Sequence, residues 1–269
     1  MPAPVKALLA QCGITPNRAL GQNFLADDAA VDAIVDAAKI DGQPVLEVGP
    51  GLGALTDKIS ERAGKVTAVE LDERMVRYLE SELVPRHKNL RIVQGDFLRV
   101  DLDAILNELG RPFCAVGNLP YYITTPIAER LILYGAQALT LMVQREAAER
   151  FLARPNDRVY GPLSILAQVY YNPQIVFQLS PHSFYPAPEV FSTVLNLSER
   201  SCALDRRALS RLLEASFRMR RKTLKNNLLP LGIEPSLLEE LLRGMGLAPD
   251  ARAQALSPEQ FVALALALR

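Results

Sequence analysis

Short runs of apolar, β-branched residues recur through the first half of the chain, separated by stretches of helical periodicity: VLEV at 45–48, VTAVEL at 66–71, LRIVQ at 90–94, FCAV at 113–116 and LTLMVQ at 139–144. Near-continuous apolar strands alternating with helices are the mark of crossover-linked units, so the pattern predicts an α/β, Rossmann-like fold around a parallel sheet. Two later runs, IVFQL at 175–179 and STVLNL at 192–197, follow each other without a long helix, with Pro181, Pro186 and Pro188 between. They predict a final antiparallel pair. From about Ser198 the periodicity is purely helical, through Leu209, Leu212, Leu213 and Phe217 and again over 237–242 and 261–268, which predicts a small C-terminal helical domain. The expected division of the 269 residues is 1–200 and 201–269.

Thirty basic and thirty acidic side chains leave no net charge, so only the distribution of charge can point to a polyanionic partner. Cys12, Cys114 and Cys202 are isolated, and His87 and His182 are the only histidines; no disulfide framework or metal site is legible, and no metal is expected. The opening MPAPVKALLAQCG has too short an apolar run for a secretory signal, and FVALALAL near the end is far below a membrane span. A soluble cytoplasmic protein with no membrane partner is expected.

The first strand runs into EVGPGLGALT, with Gly49, Gly51 and Gly53 at alternating positions before a helix. Such glycines let backbone approach a ligand, and the helix N-terminus favours an electron-rich group; the plainer alternative is a tight turn that needs positive φ. VELD then presents Glu70, nineteen residues after Gly51, where a carboxylate can accept both hydroxyls of a ribose. The third strand ends in VQGDFL, and Asp96 offers an acceptor for an exocyclic amino group beside the apolar walls of Phe97 and Leu98. These features suit an adenine nucleoside. Gly49-x-Gly51-x-x-Ala54 also satisfies the relaxed nicotinamide dinucleotide fingerprint. A dehydrogenase would want a hydride-handling His or Tyr–Lys pair, however, and His182 stands alone in a proline-rich segment.

The fourth strand leads into VGNLPYYITT, 116–125, at the same carboxyl edge of the sheet as the glycine loop. Polar, stackable side chains there suit chemistry on a base amino group, whose lone pair is delocalised into the ring. The Asn118 side-chain oxygen and the Leu119 or Pro120 carbonyl could each accept one amino hydrogen and turn the lone pair toward an electrophile. Pro120 shapes the loop, and Tyr121 supplies a face for a flipped-out base, a contact worth about 1 to 3 kcal/mol. The competing reading is an Asn-Pro turn with two half-buried tyrosines.

EVGPGLG, VELD, QGDF and NLPYYITTP, in this order, resemble the S-adenosylmethionine-dependent ribosomal RNA adenine N6-dimethyltransferases, the KsgA (RsmA) family. LGQNFL at 20–25, YGPLSILAQ at 160–168 and FRMRRKTLKNNL at 217–228 extend the resemblance. It implies a Rossmann-like class I methyltransferase fold with S-adenosylmethionine as cofactor. Gln22, Asn23 and Leu25 would border the cofactor, Gly49 and Gly51 would pass under its methionine portion, Glu70 with Leu71 would hold its ribose, and Met75 or Val76 would lie nearby. Asp96 and Phe97 would hold its adenine. Asn118, Leu119, Pro120 and Tyr121 would grip the target adenine, and Phe184 would stack on its other face. The implied substrate is a pair of adjacent adenines in the hairpin loop near the 3′ end of 16S rRNA, on an immature 30S subunit. The chain departs from the family pattern at Tyr122, where many members carry Asn, and at Glu189 and Phe191, where the segment commonly ends in VDS.

Between Arg206 and Lys225 stand eight basic side chains against Glu214, a footprint of phosphate binding unless it is merely a solvated helix face. Arg218, Arg220, Arg221, Lys222 and Lys225 are the expected RNA contacts, on a basic helix whose consecutive Arg220, Arg221 and Lys222 fan around its circumference. A large-subunit adenine methyltransferase of the macrolide-resistance type and a mainly non-catalytic ribosome-assembly factor are the alternatives. A monomer is expected.

Overall fold

The computed structural model describes residues 3–16 and 21–268; Leu20, at the head of the LGQNFL segment, lies outside them. Among the described residues nine strands form: β1 (Phe24–Leu25), β2 (Pro44–Val48), β3 (Lys65–Glu70), β4 (Leu90–Gln94), β5 (Cys114–Asn118), β6 (Ala138–Gln144), β7 (Tyr171–Leu179), β8 (Phe184–Tyr185) and β9 (Ser192–Glu199). Helices α1 (Ala3–Gln11) and α2 (Asp28–Ala38) precede the sheet. Helices α3 (Ala54–Arg62), α4 (Glu73–Glu82), α5 (Leu102–Leu109) and α6 (Thr124–Leu133) occupy its crossovers, and α7 (Arg145–Leu152) and α8 (Pro162–Tyr170) follow β6. The chain ends in α9 (Arg206–Phe217), α10 (Leu224–Leu228), α11 (Pro235–Gly244) and α12 (Pro258–Ala267).

Seven strands make one sheet in the order β4-β3-β2-β5-β6-β9-β7. The first five of these pair in parallel, and β9 runs antiparallel to β6 from Ala138↔Ser198 to Gln144↔Ser192. This is the Rossmann-like α/β architecture expected from the strand spacing, and the two late strands are neighbours as expected. The chain winds outward from β2 through β3 to β4, then returns to place β5 on the other side of β2. A crevice therefore opens at the carboxyl ends of β2 and β5, the switch point where such sheets take ligands. Val48 at the end of β2 is level with Gly117 in β5, and a Cβ on Gly117 would come within 2.8 Å of the Val48 carbonyl. Only glycine permits that approach. Below the crevice Val45, Val66, Ala68 and Val116 pack with Ile34, Ile59 and Leu79 in the main core.

Two compact units emerge, residues up to 148 with 174–198, and 149–173 with 199 onward. This corrects a single cut near residue 200. Tyr160 explains the difference: it is fully buried, donates its hydroxyl to the Leu256 carbonyl at 2.8 Å and meets Phe217 edge-on, so α8 packs with α9 and α12. Among the described residues no helix is long and apolar enough to cross a membrane.

Candidate functional site

The glycine loop takes the shape its spacing predicts. Gly49, Gly51 and Gly53 have φ of 70°, 58° and 81°, a region that disfavours any side chain. A Cβ on Gly51 would press on the Phe24 ring at 3.2 Å. The Gly51 N–H donates to Glu70 Oε2 at 3.0 Å and the Asp72 N–H to Oε1 at 2.8 Å, which fixes the carboxylate at the end of β3. Burial pushes Glu70 above the usual carboxylate range despite these bonds. A carboxylate has about four lone-pair sites, so room remains on it for a further donor.

Asp72, which the sequence reading passed over, caps α4 through the Arg74 N–H and accepts from Gln22 Nε2 at 3.0 Å and Arg74 at 2.6 Å. The Arg74 guanidinium holds it down at about 2. Its signal was present in VELD as an acid directly before a helix. On the loop after β4, the Leu98 N–H donates to Asp96 Oδ1 at 2.9 Å, and the exposed Arg99 lies 3.5 Å from Oδ2.

A cavity of about 260 Å³ is lined by Gln22, Asn23, Leu25, Gly49 and Gly51, by Glu70 and Leu71, by Asp96 and Phe97, and by Asn118, Leu119, Pro120 and Tyr121. Thirteen of the predicted positions thus meet in one space. Tyr122 also lines it and is 57% exposed, while Val5 and Leu8 of α1 add apolar wall that the sequence did not suggest. Neither His87 nor His182 borders it.

Glu47 is a second buried carboxylate of the site, beside Glu70. It lines the cavity, is 1% exposed, and its Oε2 has no hydrogen-bond partner among the described residues. Burial, with the nearby charge of Glu70 adding to it, raises it to about 8.

Asn118 closes β5. Its Nδ2 donates to the Asn23 carbonyl at 3.1 Å, which leaves Oδ1 as the acceptor. The Pro120 carbonyl already accepts from Thr124 Oγ1 at 3.1 Å and the Ile123 N–H at 3.2 Å, so of the two carbonyls considered, Leu119 is the better placed to accept again. Tyr121 Oη meets Ser192 Oγ at 3.1 Å, tying the motif to β9.

Two expectations need correction. Phe184 does not line the cavity: it is 2% exposed in the main core, because β8 pairs antiparallel with β1, Leu25 opposite Phe184. Met75 and Val76 do not line the cavity either, but Met75 packs with Leu9, Phe24 and Leu52, the last two of which line it, and so lies behind its wall. The basic segment is no continuous helix. Helix α9 ends at Phe217, and 218–222 form turns before α10. There Arg218, Arg220, Arg221 and Lys222 are all exposed, but Arg220 donates to the Tyr160 and Arg158 carbonyls, and Lys225 pairs with Glu239 at 2.5 Å. Arg206 stacks on Tyr170 and pairs with Glu199. The second unit still carries fifteen basic against ten acidic side chains.

A family model described as ribosomal RNA adenine dimethylase matches residues 14–269. The chain belongs to the ribosomal RNA adenine dimethylase family. It is 40% identical to the "Ribosomal RNA small subunit methyltransferase A" of Moorella thermoacetica over 282 aligned positions, covering 100% of this chain and 98% of that protein. It is also 40% identical to the protein of that name from Streptococcus pneumoniae, covering 98% and 96%. Among solved structures it resembles a dimethyladenosine transferase from Plasmodium falciparum with a TM-score of 0.73 and 26% identity, covering 90% of this chain and 95% of that one. The 23S rRNA methyltransferase ErmE gives 0.66 and 27%, covering 91% and 99%. Membership of the dimethylase family agrees with the resemblance carried by the NLPYY and glycine-loop segments and displaces the dehydrogenase alternative.

Proposed function

We propose that the protein binds S-adenosylmethionine in the β2–β5 crevice and dimethylates N6 of two adjacent adenines in the 3′-terminal hairpin loop of 16S rRNA, within the immature 30S subunit. The observation that carries this reading is the pairing of Asn118 with Asn23, which spends the amide N–H on backbone and keeps Oδ1 as an acceptor beside the cavity.

The residues present fit the cofactor. The positive-φ turns at Gly49 and Gly51 bring bare backbone to the cavity wall, the anchored Glu70 is suited to ribose hydroxyls, and Asp96 with Phe97 to an aminopurine. Gln22, Asn23 and Leu25 would border it from the N-terminal segment. When bound, S-adenosylmethionine supplies a sulfonium methyl open to direct displacement by adenine N6. Asn118 Oδ1 and the Leu119 carbonyl accept the two amino hydrogens and direct the lone pair, and Tyr121 stacks on the base. Catalysis is then chiefly orientation, and the amino proton leaves to solvent after transfer. In the second unit, the exposed Arg218, Arg221 and Lys222 engage RNA phosphates. The protein acts as a monomer in the cytoplasm.

The small-subunit substrate is favoured over large-subunit RNA by the chain's 40% identity to two ribosomal RNA small subunit methyltransferases A. Transfer of labelled methyl to undermethylated small subunits, with large subunits and their naked RNA in parallel, tests the reading. Dimethyladenosine mapped to the small-subunit hairpin alone is the expected result. Label in large-subunit RNA would move the assignment to the resistance-type enzyme, and cofactor binding without transfer to either would move it to an assembly factor.

A further inference from the structure

The loop from Gly95 to Val100 joins β4 to the N-cap of α5 without ladder hydrogen bonds of its own. It is anchored at its start by the Gly95 N–H on the Glu70 carbonyl at 2.8 Å and folded on itself by the Val100 N–H on the Asp96 carbonyl at 2.9 Å. Two of its carbonyls point to one side chain elsewhere in the fold. Arg130 of α6 donates from one amino group to the Phe97 carbonyl at 2.8 Å and from the other to the Val100 carbonyl at 2.6 Å. Its guanidinium carbon lies 5.8 Å from the centroid of the Phe97 ring.

We propose that Arg130 is a positioning residue for cofactor recognition: its planar fork holds the Asp96–Val100 loop in the shape in which Asp96 and Phe97 receive the aminopurine. The inference rests on the reading of Asp96 given above. Arg130 is half-buried and forms no ion pair with a described carboxylate, so the two carbonyls and the rings of Phe97 and Tyr134, the latter centred 5.7 Å from its guanidinium carbon, are what offset the loss of water around its charge. A cation kept under those conditions is poorly explained by packing alone. Its geometric result is specific, because closing the loop around residues 97 and 100 sets where the Asp96 carboxylate stands. Lysine, with one compact ammonium, cannot bridge both carbonyls and stack in the same way. Arg130 also sits on the helix that begins at Thr124, directly after the NLPYYI segment. The helix that carries the clamp on the purine loop therefore starts three residues after Tyr121 of the base-gripping motif.

The test is calorimetric binding of S-adenosylhomocysteine and of its deaminated counterpart, S-inosylhomocysteine, to the wild type, Arg130→Met and Arg130→Lys, with turnover at saturating cofactor measured beside it. The wild type is expected to favour the adenosyl form by roughly tenfold or more, the value of one hydrogen bond to a charged group. Both variants should lose most of that preference, through weaker binding of the adenosyl form, while turnover at saturation stays within about threefold. A merely structural role would lower both affinities together and leave the preference intact. Should the wild type itself not discriminate, the reading of Asp96 fails and the inference with it. Discrimination retained by the wild type and by either folded variant would overturn the inference alone.

Discussion

The Asn118 side-chain amide donates to the Asn23 main-chain carbonyl at 3.1 Å, joining residues 95 apart in sequence. Two segments that line one cavity are thereby locked together, and the orientation of the amide follows from the bond. Asn118→Ala should lower turnover by about 10² to 10³, the usual effect of removing one directed transition-state contact. Cofactor affinity should fall far less, since Glu70, Asp96 and the glycine loop remain. Calorimetry beside single-turnover kinetics separates the two, and lost affinity with turnover preserved at saturation would contradict the assignment.

Tyr121 serves through its ring, while its hydroxyl anchors the ring to the fully buried Ser192. Tyr121→Phe should keep turnover within about tenfold and lower stability by about 1 to 3 kcal/mol, because a buried serine loses its partner. Tyr121→Ala should instead weaken productive RNA binding by about 1 to 3 kcal/mol through lost stacking. Denaturant melts and RNA KM values distinguish these outcomes.

Glu47 gives the protein an unusual acid–base signature. Its carboxyl lies near 8 in the fold against 4.5 in the open chain, so between those values the folded state binds the extra proton and stability falls as pH rises. The contribution is whole below pH 4.5 and lost as pH climbs through about 8. Glu47→Gln should flatten that part of the curve and raise stability most at alkaline pH, as read from urea midpoints across the range. An unchanged slope would show that Glu47 is solvated or paired.

Gly53 caps α3 at φ 81°, and a Cβ there would stand 2.6 Å from Leu83 Cδ2 and 2.9 Å from Leu79 Cδ2. Gly53→Ala combines left-handed strain with overpacking and should cost about 2 to 4 kcal/mol. Thermal unfolding of the variant measures this directly.

The exposed turn after α9 offers a salt-dependent test of RNA binding. Replacing Arg218, Arg221 and Lys222 together by Ala should weaken binding uniformly across RNA sequences and reduce the slope of log affinity against log salt by about 2. Lys225→Ala should leave the slope nearly unchanged, because its ammonium is already paired with Glu239, and should lower stability instead.

Much of the candidate site was legible because it is written in short, local signals. A glycine between strand and helix reports its own backbone requirement, and Glu70 and Asp96 sit at the ends of apolar runs whose boundaries fall within two residues of the strands observed. Phe184 was not legible in that way. Its aromatic character is equally suited to stacking on a base and to filling a core, and the choice was made by β1, a two-residue strand with no periodicity to announce it. Arg130 was silent for the related reason that its partners are main-chain carbonyls, which carry no residue identity.

By itself the sequence determined the alternation of strand and helix, and with it the sheet, the switch-point crevice and the kinds of side chain at its rim. These follow from burial patterns and backbone conformation, which act over a few residues. Only the tertiary structure decided which rings are buried, which cations are spent on carbonyls or carboxylates, and that 149–173 pack with the C-terminal helices. Those outcomes depend on which distant groups arrive beside each residue, and a side chain's desolvation is set by that company rather than by its neighbours in the chain.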